Sequence, residues 1–207
     1  GSTGNPKGVV LTHQNIIANI DAMGGALEAS SGDVFVSWLP LYHDMGLIGA
    51  WMGSLCVGFT LVLMSPLTFL SRPSRWLRII HNHRGTLSGG PNFSFELCLQ
   101  RIEDEDIEGL DLSCWRVAFN GAEPVSADTL RRFQKRFSQY GLPDTAISPV
   151  YGLAEATLGL GFPPIGRGLF TDRVNRESLA VHGKAEAAAD DDESALEVVA
   201  CGQPMPG

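Results

Sequence analysis

Basic residues are the scarce class in this 207-residue sequence: 15 Lys+Arg stand against 23 Asp+Glu, for a formal charge of −8. Neutralising a phosphate backbone takes a basic field, so a general nucleic-acid binder is excluded. Cysteine is sparse as well. Cys56, Cys98, Cys114 and Cys201 are far apart and form no Cys-x-x-Cys pair, so neither a zinc site nor a disulfide framework is indicated, and a reducing cytoplasm is the simplest compartment. No basic stretch followed by an apolar one opens the chain in the manner of a secretory leader. A serine hydrolase would need a Gly-x-Ser-x-Gly elbow and a Rossmann dehydrogenase a Gly-x-Gly-x-x-Gly after a strand; the sequence has neither. His81 and His83 stand two apart on an expected helix, which places them on different faces and argues against a metal pair.

Charge is missing altogether from Met45 to Ser71, where Gly49 and Gly53 even make a Gly-x-x-x-Gly. A buried helix followed by a buried strand explains the same letters without a membrane. Leu47–Val57 is Gly-rich and helical in pattern, Gly58 breaks it, Phe59–Met64 is a β-type run, and Pro66 closes the strand. No transmembrane segment is therefore expected.

With 44% hydrophobic and 18% charged residues, the chain has the composition of a packed domain. Its 24 Gly and 12 Pro are scattered and read as punctuation between short elements. Thr12 is placed to cap a helix whose apolar stripe is Ile16, Ile20, Met23 and Leu27. A strand at Val34–Trp38 follows, then the Gly-rich helix and its strand, a helix opening at Pro73, a short strand near Gly85–Ser88 and a helix near Phe93–Arg101. The acidic run Glu103–Glu108 reads as a solvated connection and Trp115–Asn120 as a strand. Ser126 caps a helix buried through Leu130, Phe133 and Phe137 and ended by Gly141; its Arg131, Arg132, Lys135 and Arg136 read first as a solvated face and second as a docking surface. A strand near Ile147–Tyr151 precedes a long irregular stretch over Asp172–Glu193, exposed or mobile at Ala187–Ser194, and an apolar run Leu196–Ala200. Strands alternating with helices make the fold class α/β, with substantially parallel sheets and flanking helices.

The first eight residues, GSTGNPKG, bring three glycines, two hydroxyls and a lysine ahead of an apolar run and a capped helix. Glycines allow the tight turns that aim several N–H groups inward, so the loop is an anion cradle by composition. It is not the P-loop of NTPases, because Gly8 rather than Ser or Thr follows Lys7.

This loop resembles the phosphate-binding signature of the adenylate-forming superfamily. Four more stretches match in order: WLPLYHDMGL (38–47), GGPNFSFELC (89–98), FNGAEPV (119–125) and YGLAEAT (151–157). The His-Asp-Met-Gly form is similar to that of the fatty-acyl-AMP ligase branch. The resemblance implies that ATP and a long-chain fatty acid give an acyl-adenylate and pyrophosphate. The acyl group then passes to an acyl carrier protein or a polyketide synthase carrier domain.

By the same resemblance Ser2, Thr3, Gly4 and Lys7 hold phosphates, and Glu155 holds Mg²⁺ against them. Tyr151 lies on the adenine; Gly121, Ala122 and Glu123 form the turn beside it; His43 lines the acyl-carboxylate end. Ala154 stands where many superfamily members have Thr, so a hydroxyl contact to the α-phosphate falls to Thr157 or is lacking. His43 and Glu155 are the expected catalytic pair.

The resemblance further implies that residues 1–207 are one incomplete segment of the AMP-binding large domain, inactive alone, with the C-terminal lid outside it. Residues 172–197 are the expected family-specific insertion. Two alternatives stay open: a segment of an acyl-CoA synthetase, and a catalytically dead module that binds nucleotide or docks a carrier.

Overall fold

The structure is a computed structural model that describes residues 8–189 and 191–205. Helix α1, His13–Ala26, starts at a reciprocal cap: the Thr12 hydroxyl accepts the Asn15 N–H at 3.1 Å, and the Asn15 amide oxygen accepts the Thr12 N–H at 3.0 Å. Five short strands then form a parallel sheet in the order β2-β1-β3-β4-β5: β1 Val34–Ser37, β2 Thr60–Leu63, β3 Leu87–Gly90, β4 Val117–Asn120 and β5 Ile147–Pro149. The order reverses at β1 and β3, the kind of point beyond whose carboxyl ends open α/β sheets form crevices.

Side chains alternate across these strands, and the two faces are covered differently. One face receives α4 Ser74–His83, α5 Asn92–Arg101 and α6 Ala127–Phe137. Here Trp76, Phe95, Trp115 and Phe133 are fully buried and meet edge to face at 4.9–5.7 Å between successive ring centres. The Trp76 indole N–H donates to the Ser88 hydroxyl at 2.8 Å, and that hydroxyl donates to the Val36 carbonyl at 2.6 Å, so these polar atoms are satisfied inside the core. The other face receives α1 and the Gly-rich helical segment.

That uncharged segment departs from expectation in three ways, the first being that β2, expected to be a buried strand, lies at the sheet edge with Thr60 and Leu63 exposed. The segment begins as a π-helix, Met45–Met52, continues as α2 Gly53–Val57, and is ended by Gly58 at φ 87°. Pro66 does not simply close β2. It opens a further helix, α3 Pro66–Ser71, capped by the Ser65 hydroxyl, which accepts the Leu67 N–H at 3.2 Å. Among the described residues no helix is long and apolar enough to cross a membrane.

Two regions expected to be loose are ordered by arginine. The acidic run coils into a 3₁₀ turn, Asp104–Ile107, that buries Ile107 completely. Arg72 pairs with Asp106, and Arg78 donates to the carbonyls of Asp106 and Glu108. The stretch expected to be irregular over Asp172–Glu193 instead carries β8 Thr171–Val174 and α7 Arg176–His182, and β8 pairs antiparallel with β9 Leu196–Val199. Arg131 of α6 grips Glu197 of β9 and the Thr171 hydroxyl of β8. Arg132 pairs with Glu96 and Asp128, and Arg136 donates to the Leu99 carbonyl, so the basic face of α6 is largely engaged by the chain itself. Residues 187–189 and 191–194 remain mostly exposed, as expected.

After β5 the chain forms a second sheet of β6 Tyr151–Gly152, β7 Gly159–Phe162 and β10 Gln203–Pro204. Asn19 of α1 fixes this sheet at right range: its side chain donates to the Gly159 carbonyl at 2.8 Å and accepts the Gly159 N–H at 3.0 Å. Ile20, Met23 and Ile48 form a second apolar cluster between α1, the π-helix and β7.

Candidate functional site

Between the loosely covered sheet face and its helices lies a cavity of about 310 Å³. Phe35, Leu87 and Phe119, from β1, β3 and β4, floor it. Ile20 and Met23 of α1 and its capping residue Leu27 form one wall, while Gly49, Gly53 and Val57 form the other. The space exists because the helices offer glycine where the opposite face offers aromatic rings. A methyl group on Gly24 would meet nothing nearer than Val57 Cγ2 at 3.6 Å.

The mouth is built from loops that leave the carboxyl ends of the strands: His43 and Asp44 after β1, Ala122 after β4, and Tyr151, Gly152 and Leu153 after β5. Tyr151 is 57% exposed there. Ala122 sits at φ 68°, a left-handed conformation uncommon for a side-chain-bearing residue. Gly121 passes so close to the next loop that a methyl group would lie 2.8 Å from the Val150 carbonyl oxygen. Glu123 is not free: its carboxylate accepts the Phe93 N–H at the start of α5, at 2.6 Å.

The expected residues Tyr151, Glu155 and Thr157 are held by one strained turn. Glu155 is exposed on the 3₁₀ turn Ala154–Ala156, and Thr157 is buried at φ 73°, ψ −59°. With the Leu158 N–H donating to the Ala156 carbonyl at 2.9 Å, Thr157 centres a γ-turn. A β-branched residue in this conformation costs about 1–3 kcal/mol, the kind of strain that surrounding structure sustains at functional sites. Gly152 makes the turn possible, because a methyl group there would sit 1.9 Å from the Leu158 carbonyl oxygen.

His43 Nδ1 lies 2.7 Å from Asp44 Oδ1, and Asp44 Oδ1 also accepts the Met45 N–H at 2.7 Å. The bond to Asp44 raises the His43 pKa above the ordinary imidazole value against the opposing pull of burial. The same bond holds the Asp44 carboxyl below its usual range. Asp44, Gly24, Gly49, Gly53 and the phenylalanines of the floor were not given a place in the site from sequence. The adjacent His-Asp pair was the available signal for Asp44; the glycines gave none, because a glycine that leaves room for a ligand reads like one that bends the chain.

Ser2, Thr3, Gly4 and Lys7 lie outside the described residues. The structure therefore gathers His43, Ala122 and Tyr151 at one cavity mouth, with Gly121, Glu123, Glu155 and Thr157 in the loops that carry it.

The chain belongs to the family described as AMP-binding enzyme, whose model matches residues 1–207. Within it, the chain is 48% identical over 158 residues to the medium-chain-fatty-acid–[acyl-carrier-protein] ligase TtuA of Teredinibacter turnerae, covering 76% of this chain and 25% of that protein. It is 41% identical over its full length to the long-chain-fatty-acid–AMP ligase FadD26 of Mycobacterium marinum, of which it covers 36%. The crystal structure of a fatty acyl-adenylate ligase from L. pneumophila, in complex with acyl adenylate and pyrophosphate, superposes with a TM-score of 0.93 at 39% identity, covering 99% of this chain and 36% of that one. The chain thus spans about a third or less of the length of these relatives.

Proposed function

We propose that the whole protein is a fatty-acyl-AMP ligase: it activates a long-chain fatty acid with ATP and passes the acyl group to an acyl carrier protein or carrier domain. The observation that carries this reading is the union of an apolar cavity with a polar mouth at the carboxyl ends of the strands. The tail enters the cavity and its burial supplies binding energy at roughly 25 cal/mol per Å². The carboxylate is left at the mouth beside His43 and the loop of Tyr151.

In the reaction one carboxylate oxygen attacks the α-phosphorus of ATP; that P–O bond forms as the bond to the β-phosphate oxygen breaks, and pyrophosphate leaves. Two anions must meet, so the site acts mainly by positioning and by neutralising charge. Tyr151 presents its ring to adenine, and the Gly121–Ala122 backbone closes the other side. Ser2, Thr3, Gly4 and Lys7 are assigned the β- and γ-phosphates from the sequence pattern. Thr157, in its strained turn, is the hydroxyl proposed to replace the one that Ala154 lacks.

Mg²⁺ fits this donor set. Among the described residues no cluster of three or more His, Cys, Asp or Glu could hold a metal alone. Mg²⁺ characteristically uses one or two carboxylates and completes its shell with substrate phosphates and water, and Glu155 is an exposed carboxylate beside the mouth. When bound, the ion supplies positive charge to the departing pyrophosphate.

The test is direct. The whole protein with ATP, Mg²⁺ and acids from octanoate to stearate should yield acyl-AMP by mass spectrometry, and added phosphopantetheinylated carrier protein should acquire the acyl group faster than CoA does. Absence of acyl-AMP with every acid would overturn the reading, and preferential acyl-CoA formation would overturn the choice of acceptor.

A further inference from the structure

The cavity mouth carries one charged arrangement that the activation chemistry does not by itself explain. Among the described residues that line the cavity, His43, Asp44 and Tyr151 are the titratable ones, and two of them are bonded to each other. We propose that Asp44 is a positioning residue that holds His43 as an imidazolium, so that the site selects the ionised carboxylate of the fatty acid and loses its grip when His43 deprotonates. This inference rests on the cavity being the acyl site.

The geometry leaves little other use for the pair. One Asp44 oxygen, Oδ1, takes both the Met45 N–H at the start of the π-helix and His43 Nδ1, each at 2.7 Å, and the same Met45 N–H lies 3.4 Å from Nδ1. A carboxylate can only accept, so Nδ1 is the donor and Nε2 is the nitrogen available to a ligand. A His-Asp pair often serves as a general base, but a fatty-acid carboxylate is already ionised near neutral pH and has no proton to lose. What it needs where the polar mouth gives way to the apolar cavity is a positive partner, and an unpaired carboxylate there is costly. Deprotonating His43 does more than remove that partner, because it leaves the Asp44 charge facing the ligand. Tyr151, just after β5, is the remaining titratable group of the lining.

The experiment measures binding of decanoate and of uncharged decanol to the whole protein, without ATP, between about pH 5.5 and 8.5. Decanoate affinity should break downward on the alkaline side of the His43 titration, followed in parallel by NMR of the imidazole, while decanol affinity stays flat. Asp44→Asn keeps an oxygen for the His43 N–H and removes the charge. Its break should move to lower pH, so that at about pH 7.5 its affinity, relative to its own acid plateau, is about three- to tenfold below wild type. His43→Gln should abolish the break. Decanoate bound with no break in the wild-type protein, or with the same break in Asp44→Asn, would overturn the dyad and leave the acyl site standing. Failure to bind both ligands at every pH would overturn the acyl site and the dyad with it.

Discussion

The two faces of the parallel sheet are made from alternating residues of the same strands, yet one is solid and the other hollow. Towards α4, α5 and α6 the strands present Val36, Ser88 and Ala118, small enough for Trp76 and Trp115 to pack edge to face in the core with their N–H groups bonded. Towards α1 and the π-helix they present Phe35, Leu87 and Phe119, but the helices answer with Gly24, Gly49 and Gly53, and a cavity remains. Bulk lies on the helices where the core is closed, and on the strands where the cavity lies. Substitutions should therefore be read by stability on the first face and by selectivity on the second.

The largest effect belongs to the closed face. Trp76→Ala removes a fully buried ring from the centre of the aromatic cluster and strands the Ser88 hydroxyl without its donor, so unfolding free energy should fall by about 3–5 kcal/mol in urea titrations. A loss below 1 kcal/mol would mean that this face is as loosely filled as the other.

Next is the latch at the amino ends of the strands. Arg116 forks onto Asp33 through Nε and Nη2, both at 2.9 Å, and donates to the Leu27 carbonyl at 2.8 Å, tying the end of α1 to β1 and β4. Burial pushes the Asp33 carboxyl up, but the Arg116 fork, the Thr86 hydroxyl and the Ser30 N–H together hold it below the ordinary value. Its stabilisation is therefore present above the unfolded carboxylate range and is lost as pH falls through the lower folded value. Because Arg116 is part-exposed, Arg116→Ala should cost about 2–3 kcal/mol, toward the lower end of what a broken buried pair loses, and should flatten the acid limb of the stability–pH curve. An unchanged acid limb would assign the latch to packing alone.

What was legible in the sequence follows the same division. Caps and periodic stripes are local, so Thr12 with α1 and Ser126 with α6 could be read directly, and the alternation of elements gave the parallel sheet. Three of the five motif stretches, 38–47, 119–125 and 151–157, contribute residues to the cavity and its mouth; the roles given to Tyr151, Glu155 and His43 come from the resemblance. The hollow was not legible, since it depends on which helix faces which strand residue, a tertiary fact. Helix α3 was missed although Ser65-Pro66 is a good start signal, because Pro66 also reads as a strand stop. The order within 171–199 was missed because its ties are long-range, from Arg131 to Glu197 and Thr171, and nothing local announces them.

On the hollow face the expected stability change has the opposite sign. Gly24→Ala replaces a helix-interior glycine where the new methyl meets Val57 at ordinary contact distance, so stability should rise by about 0.5–1 kcal/mol. Gly24→Leu should instead occupy the cavity, leaving octanoate activation near wild type while stearate activation falls at least about tenfold. Equal losses for both acids would show that the chain does not pass Gly24.

The smallest effect is at the β8–β9 pair, which has neither an aromatic core nor a cavity and is attached through side-chain charge. Arg131 first, and then the Thr171 hydroxyl, hold the Glu197 carboxyl down to about 2. The depressed value means that the contact is intact above the usual glutamate range and is lost only as pH falls toward that figure. Both partners are substantially exposed, so water and salt screen the pair and Glu197→Gln should cost no more than about 1 kcal/mol. Its effect on local order should be larger than its effect on global stability, because few other contacts join β9 to α6. Amide exchange across Leu196–Val199 should quicken in Glu197→Gln and, in the wild-type protein, on raising salt, while exchange in β3 and β4 stays unchanged. If β4 quickens together with β9, the pair belongs to the same cooperative unit as the closed face, and the contrast between charge-held and ring-held regions fails.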